Sequence, residues 1–276
     1  ELPPRLKIRS AARALDGGAF DADLLDLPWA RSVTEWPRDL FLDLPKGISR
    51  HEVRFLERRG TILAVKELPE RAARNDFLVL SELAGEAVPT VHPVAVLTGR
   101  TDDPTEERSA ALVTRYELYS FSYRELLSGS GFGPRRDQLV GALAVILVEL
   151  HLTGCFCGDT SLSNVLYRFD AEAVGAIMVD AETAELHEVL RDGQREHDLE
   201  IMITNGAGGM ADLAAQAGVD LEAADLSWGG DIADSYRRLW SVISDPEPIS
   251  VEERWRIRDR IERLETMGFQ VDEIAV

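Results

Sequence analysis

The apolar and polar pattern of residues 40–68 reads as strands, with the clearest period-two alternation at residues 52–56. Phe41-Leu42-Asp43-Leu44 reads as a first strand and Glu52-Val53-Arg54-Phe55-Leu56 as a second. Arg58-Arg59-Gly60 turns the chain into a third, Thr61-Ile62-Leu63-Ala64-Val65-Lys66. The period then lengthens. Residues 70–84 place Phe77, Leu80 and Leu83 at helical spacing, and residues 91–97 and 110–116 return to strands around an acidic loop at 101–107. From about residue 119 the pattern is helical. Residues 137–152 carry Leu139, Leu143, Ile146, Leu147 and Leu150 on one broad face, and Gly154 is placed to end that helix. Val165-Leu166-Tyr167 and residues 176–179 bracket a hairpin through Asp170. Residues 194–265 are mostly helical, with a flexible connection at Asn205-Gly206-Ala207-Gly208-Gly209. Ser250-Val251-Glu252-Glu253 is a capping box, followed by a buried face of Val251, Trp255, Ile261 and Leu264 and a closing Gly268. Residues 1–40, with Leu27-Pro28-Trp29 and Trp36-Pro37, form an irregular wrap over a core. The pattern is α+β in two lobes: residues 1–116, an extension and a strand-rich lobe with one long helix, and residues 117–276, a helical lobe with a helical tail.

Composition narrows the partners. An apolar fraction of 45% is ordinary for a globular chain of 276 residues, so the core poses no constraint. Forty-nine acidic residues against 30 basic give a formal charge of −19, which repels nucleic-acid backbones and anionic membrane surfaces. No run of about 18 apolar residues is present to span a bilayer. The two cysteines, Cys155 and Cys157, are too close for a good disulfide and lack zinc spacing, which fits a reducing cytoplasm. The chain opens on Glu1-Leu2-Pro3-Pro4, without a methionine or signal-peptide pattern, as expected of a trimmed chain. Oligomeric state is left open.

The candidate chemistry lies at Gly158-Asp159-Thr160-Ser161-Leu162-Ser163-Asn164 and at Val179-Asp180. Phosphoryl transfer from a nucleotide needs a carboxylate near the acceptor hydroxyl, plus an amide oxygen and a second carboxylate to hold metal ions. Asp159 fits the first role; Asn164 and Asp180 fit the metal roles. Asp and Asn are also habitual loop and cap residues, so the spacing gains meaning from the long helix before it and the strands after it. Lys66 is a second anchor. Strand alternation puts it on the same face as Ala64, leaving room for a flat base while the ammonium reaches phosphate oxygens; a surface lysine on an edge strand fits the same pattern. The following helix should supply a carboxylate that orients the lysine. Asp76 fits by register, with Glu82 and Glu86 as rivals. Pro45-Lys46-Gly47-Ile48-Ser49-Arg50-His51 joins two strands, and Gly47, Ser49, Arg50 or Lys46 would lie near phosphate if this hairpin covers the nucleotide.

These residues resemble the protein-kinase-like superfamily. Ala64-Val65-Lys66 is similar to its strand lysine motif, Gly158-Asp159 to Asn164 to its catalytic loop, and Asp180 to its metal-binding aspartate. More narrowly, Leu44-Pro45-Lys46-Gly47-Ile48-Ser49-Arg50-His51, Asp180-Ala181-Glu182-Thr183 and Glu253-Arg254-Trp255-Arg256-Ile257 resemble an uncharacterised bacterial family related to lipopolysaccharide (Kdo/WaaP) kinases. The resemblance implies a two-lobed kinase-like fold with ATP and Mg²⁺ as cofactors. It also implies adenine contact by the backbone near Glu117 and Leu118, and phosphoryl transfer to a hydroxyl of a small-molecule or glycan-like acceptor. Departures accompany it. Cys157 stands where kinases usually have His, and Ser161 where protein kinases have Lys. Asp180 is followed by Ala181-Glu182, Asp76 replaces the usual helix glutamate, and no Ala-Pro-Glu follows within 40 residues. A nucleotide-binding pseudokinase and a protein nucleotidylating enzyme are the alternatives these departures leave open.

Overall fold

The computed structural model describes residues 2–11, 23–45, 49–127, 135–169, 173–245, 253 and 255–271. The chain divides into two compact units: Glu1–Tyr119 with Met178–Leu186, and Ser120–Ile177 with His187–Val276.

The first unit is built on five strands, β1 (Lys7–Ser10), β2 (Val53–Arg58), β3 (Thr61–Leu68), β4 (Pro93–Thr98) and β5 (Ala110–Arg115), in the order β1-β4-β5-β3-β2. Every neighbouring pair is antiparallel. On β3, Leu63 and Val65 turn to one face and are fully buried there, whereas Ala64 and Lys66 alternate with them and are half-buried. The Leu63/Val65 face is covered by residues 24–41, whose Leu24, Leu27, Trp29, Val33 and Trp36 pack on Leu56, Ala95, Leu97 and Val113. Each fully buried aliphatic side chain in such a layer contributes roughly 1.5–3 kcal/mol. A buried ion pair pins this covering segment. Arg100 donates to Glu67 at 2.6 Å and to the carbonyls of Trp29 and Arg31, while Glu67 accepts from Ser32 Oγ and the Val33 backbone. Helix α1 (Glu70–Gly85) lies against β4 and β5 and buries Phe77, Leu80 and Leu83.

The second unit is mainly helical. It contains α2 (Tyr123–Leu127), α3 (Arg135–Leu152), α4 (Asp192–Ala217), α5 (Ala223–Leu226), α6 (Trp228–Ser244) and α7 (Trp255–Thr266). The short strands β6 (Ser120–Phe121), β7 (Cys155–Phe156), β8 (Val165–Phe169) and β9 (Val174–Met178) join them, and β6, β8 and β9 make a small sheet. Helix α3 buries Leu139, Leu143, Ile146, Leu147 and Leu150 and is followed by Gly154 at φ +78°. A Cβ at Gly154 would lie 1.9 Å from the His187 carbonyl oxygen, so only glycine fits where the chain turns towards the catalytic-loop candidate.

Three expectations are corrected. Residues 41–44 are not a strand; Leu42 makes a single bridge to Phe55, because Pro45 removes a donor and Phe41 turns to stack on Trp36 with centroids 6.0 Å apart. The Asn205–Gly209 stretch is not a flexible connection but the middle of the 26-residue helix α4. Two of its glycines permit close approach: a Cβ on Gly206 would meet Gly229 of α6 at 3.0 Å, and one on Gly209 the Tyr123 hydroxyl at 3.3 Å. Trp255 is 65% exposed at the first turn of α7, whereas Leu264 is buried as the periodicity requires. The capping-box residues 250–252 and the hairpin residue Asp170 lie outside the described residues.

Candidate active site

In the first unit, Lys66 is the centre of a carboxylate cluster. Its Nζ donates to Asp180 at 2.8 Å and to Asp76 at 3.2 Å, with Glu182 at 3.6 Å. Asp76 reaches the lysine because it sits on the buried face of α1 one turn before Leu80, whereas Glu82 and Glu86 are exposed. Asp76 is completely buried and also accepts from the Ala181 backbone at 2.9 Å. Burial pushes its carboxyl up to about 6 and the Asp180 charge adds to that, against the opposing pull of Lys66 and the Ala181 N–H. Burial alone would lower Lys66, but the Asp76 and Asp180 carboxylates outweigh it, so the ammonium is held above its ordinary value. Asn75, beside Asp76, donates to the carbonyls of Ala181, Glu182 and Ala184. Two side chains of α1 thus grip the backbone of the Asp180 segment.

Arg50 and His51, just before β2, meet the same segment. Glu182 pairs with Arg50, and its Oε2 lies 2.9 Å from His51 Nε2. His51 Nδ1 faces Glu107 at 2.8 Å, so the ring bridges two carboxylates. Ser49 Oγ accepts from the His51 backbone at 3.1 Å. Ala64 lies two residues before Lys66, half-buried and paired with Phe55 and Thr114. Glu117 and Leu118 follow β5 in an irregular stretch, with Leu118 exposed. Gly47 and Lys46 lie outside the described residues.

In the second unit, the loop of residues 157–164 is built on α4. Asp198, completely buried, accepts from the backbone N–H groups of Cys157 at 2.8 Å and Gly158 at 2.9 Å. His151 Nε2 lies 3.1 Å from the same carboxylate, and its Nδ1 lies 2.7 Å from the Tyr236 hydroxyl. Burial raises Tyr236, so its phenol stays protonated beside the His151 ring. Thr160 Oγ1 donates to the Asp198 carbonyl at 2.6 Å. Asn164 Nδ2 donates to the Asp159 carbonyl at 2.7 Å, which closes the loop and turns the amide oxygen away from that contact. His151, Cys157 and Asp198 bring ligand-type atoms within 4.8 Å of one another. Asp198 is already occupied by backbone donors, and contact with Cys155, then burial, raises the Cys157 thiol well above its usual value. In this structure the Asp198 carboxylate serves as the anchor of the loop backbone.

Asp198, Glu182 and His51 were not signalled by spacing. Asp198 is one acid on a long helix, and its partners are backbone groups that leave no mark in a sequence.

Comparison with known proteins adds three findings. Residues 238–276 match a family model described as "Domain of unknown function (DUF4032)". No curated protein matches the chain. Among solved structures, one described as "WaaP in complex with acyl carrier protein" is similar at 16% identity and a TM-score of 0.48, over 81% of this chain and 89% of that one.

Proposed function

We propose that the chain is an atypical kinase-like phosphotransferase that uses ATP and Mg²⁺ to phosphorylate a hydroxyl of a small-molecule or glycan-like acceptor. The observation that carries this reading is Lys66, whose ammonium is held between Asp76 and Asp180 at 3.2 and 2.8 Å. A buried lysine braced by one carboxylate from a helix and one from a strand end is an oriented cation, suited to phosphate oxygens. Asp180 is partly exposed, and its carboxylate and the Asn164 amide, the two groups assigned to the metal, offer the oxygen chemistry a hard cation such as Mg²⁺ prefers. Bound there, Mg²⁺ would offset charge on the transferring phosphates. Asp159 orients the acceptor hydroxyl and takes its proton as transfer proceeds. The Glu182 contacts with Arg50 and His51 support a role for the hairpin near phosphate, and the backbone at Glu117–Leu118 is assigned to the adenine.

Release of γ-phosphate from Mg·ATP tests the reading. Asp159→Asn should cut turnover by about 100-fold or more while leaving nucleotide affinity close to native. Tight Mg·ATP binding with no Asp159-dependent turnover towards any acceptor pool would refute the enzyme and leave a nucleotide-binding interaction module.

A further inference from the structure

We propose that Asn205 is the positioning residue for Asp159, an inference that rests on the role assigned to Asp159 above. Asn205 Nδ2 donates to Asp159 Oδ1 at 3.1 Å and to the Thr160 carbonyl at 2.9 Å. Both partners are acceptors, so the orientation of the amide is fixed and its two hydrogens are both used. One planar group thereby sets the rotation of the Asp159 carboxylate against the backbone of the next residue. Oδ2 is left for the acceptor, with no hydrogen-bond partner among the described residues.

The surroundings explain why this residue is an asparagine in a helix. Asn205 follows Asp198 by seven residues, two turns, so the two share a face of α4. Asp198 holds the N–H groups of Cys157 and Gly158, and Asn205 holds the side chain of Asp159 and the carbonyl of Thr160. One helix face thus fixes four consecutive residues of the loop. The approach is close: a Cβ on Gly209 would stand 3.3 Å from the Tyr123 hydroxyl and 3.4 Å from Leu162 of the same loop. Asparagine and three glycines are poor helix formers, each costing a fraction of a kilocalorie to about 1 kcal/mol against alanine. The contacts of Asn205, Gly206 and Gly209 account for three of these four residues; a Cβ on Gly208 would meet nothing within 4 Å. A leucine would offer no donor. An aspartate would set a carboxylate against both a carboxylate and a carbonyl. A glutamine keeps the donors on a stem one methylene longer.

The test combines kinetics and hydrogen exchange on the full chain. With Mg·ATP and water as acceptor, Asn205→Ala should lower kcat roughly 10- to 100-fold with KM for ATP within about twofold. Asn205→Gln should recover part of the loss, and Asn205→Asp should fall below Asn205→Ala. In the same Asn205→Ala protein, amide exchange across residues 158–164 should quicken while the melting temperature stays close to native. Native kcat in Asn205→Ala, or a loss confined to KM, overturns the proposal. If the native protein shows no Asp159-dependent turnover with water or with any acceptor pool, the phosphotransferase reading fails by itself. Exchange then decides the positioning role, and an unchanged loop in Asn205→Ala overturns it.

Discussion

Replacing Asp198 by asparagine should destabilise the helical unit far more than a one-atom change suggests. The carboxylate accepts from two backbone N–H groups through different oxygens, Cys157 on Oδ2 and Gly158 on Oδ1, and from His151 on Oδ2. An amide keeps one oxygen and turns an N–H₂ towards a donor. At least one buried backbone N–H loses its partner, at about 1–3 kcal/mol, and a donor now faces a donor. Loss of a buried negative charge returns part of this, since a buried carboxylate is costly to desolvate. The net expectation is about 2–3 kcal/mol for Asp198→Asn, and about 3–5 kcal/mol for Asp198→Ala, which strands all three donors. Urea unfolding followed by far-ultraviolet circular dichroism reports mainly on helix, and therefore on this unit. A shift within about 0.5 kcal/mol of native for Asp198→Asn, the range of ordinary surface changes, would refute the claim that this carboxylate holds the loop.

Other expectations follow from single contacts. Lys66→Met should cost about 3–5 kcal/mol in the first unit because it leaves Asp76 buried without its cation, and the double variant Lys66→Met/Asp76→Leu should recover most of it in a double-mutant cycle by urea titration. Burial lifts the half-buried Glu149 carboxyl from 4.5 to about 7. A carboxyl raised on folding weakens the fold as pH climbs from 4.5 through 7. Glu149→Gln should therefore change nothing at about pH 4 and stabilise by roughly 1–2 kcal/mol at pH 8, after allowing for its partial exposure. Gly229→Ala would place a Cβ 2.5 Å from the Ile203 Cα, so it should cost about 1–3 kcal/mol by overpacking, read as a lowered melting temperature.

The parts of this molecule legible in the sequence are those set by local periodicity. Alternation in Ala64-Val65-Lys66 separates the half-buried lysine from the buried Leu63/Val65 face, and helical register singles out Asp76 over Glu82 and Glu86. What escaped was set by tertiary approach. Glycine content argued for a break at residues 205–209, yet Gly206 and Gly209 let α6 and the 157–164 loop press against an unbroken helix. The partners of Asp198 lie some 40 residues earlier and are backbone groups. The bridge from Glu182 to His51 spans 131 residues. Residues 41–44 had strand composition but gained only one bridge, because strand formation depends on a paired neighbour.

The most direct test of the central claim is a paired labelling experiment with Mg·ATP carrying either γ-³²P or α-³²P, an acceptor pool of small molecules and glycans, and native or Asp159→Asn protein. Label should enter the pool from γ-³²P alone, and Asp159→Asn should abolish it. Transfer of α-label would show nucleotidylation, and γ-transfer that survives Asp159→Asn would contradict the role given to that carboxylate.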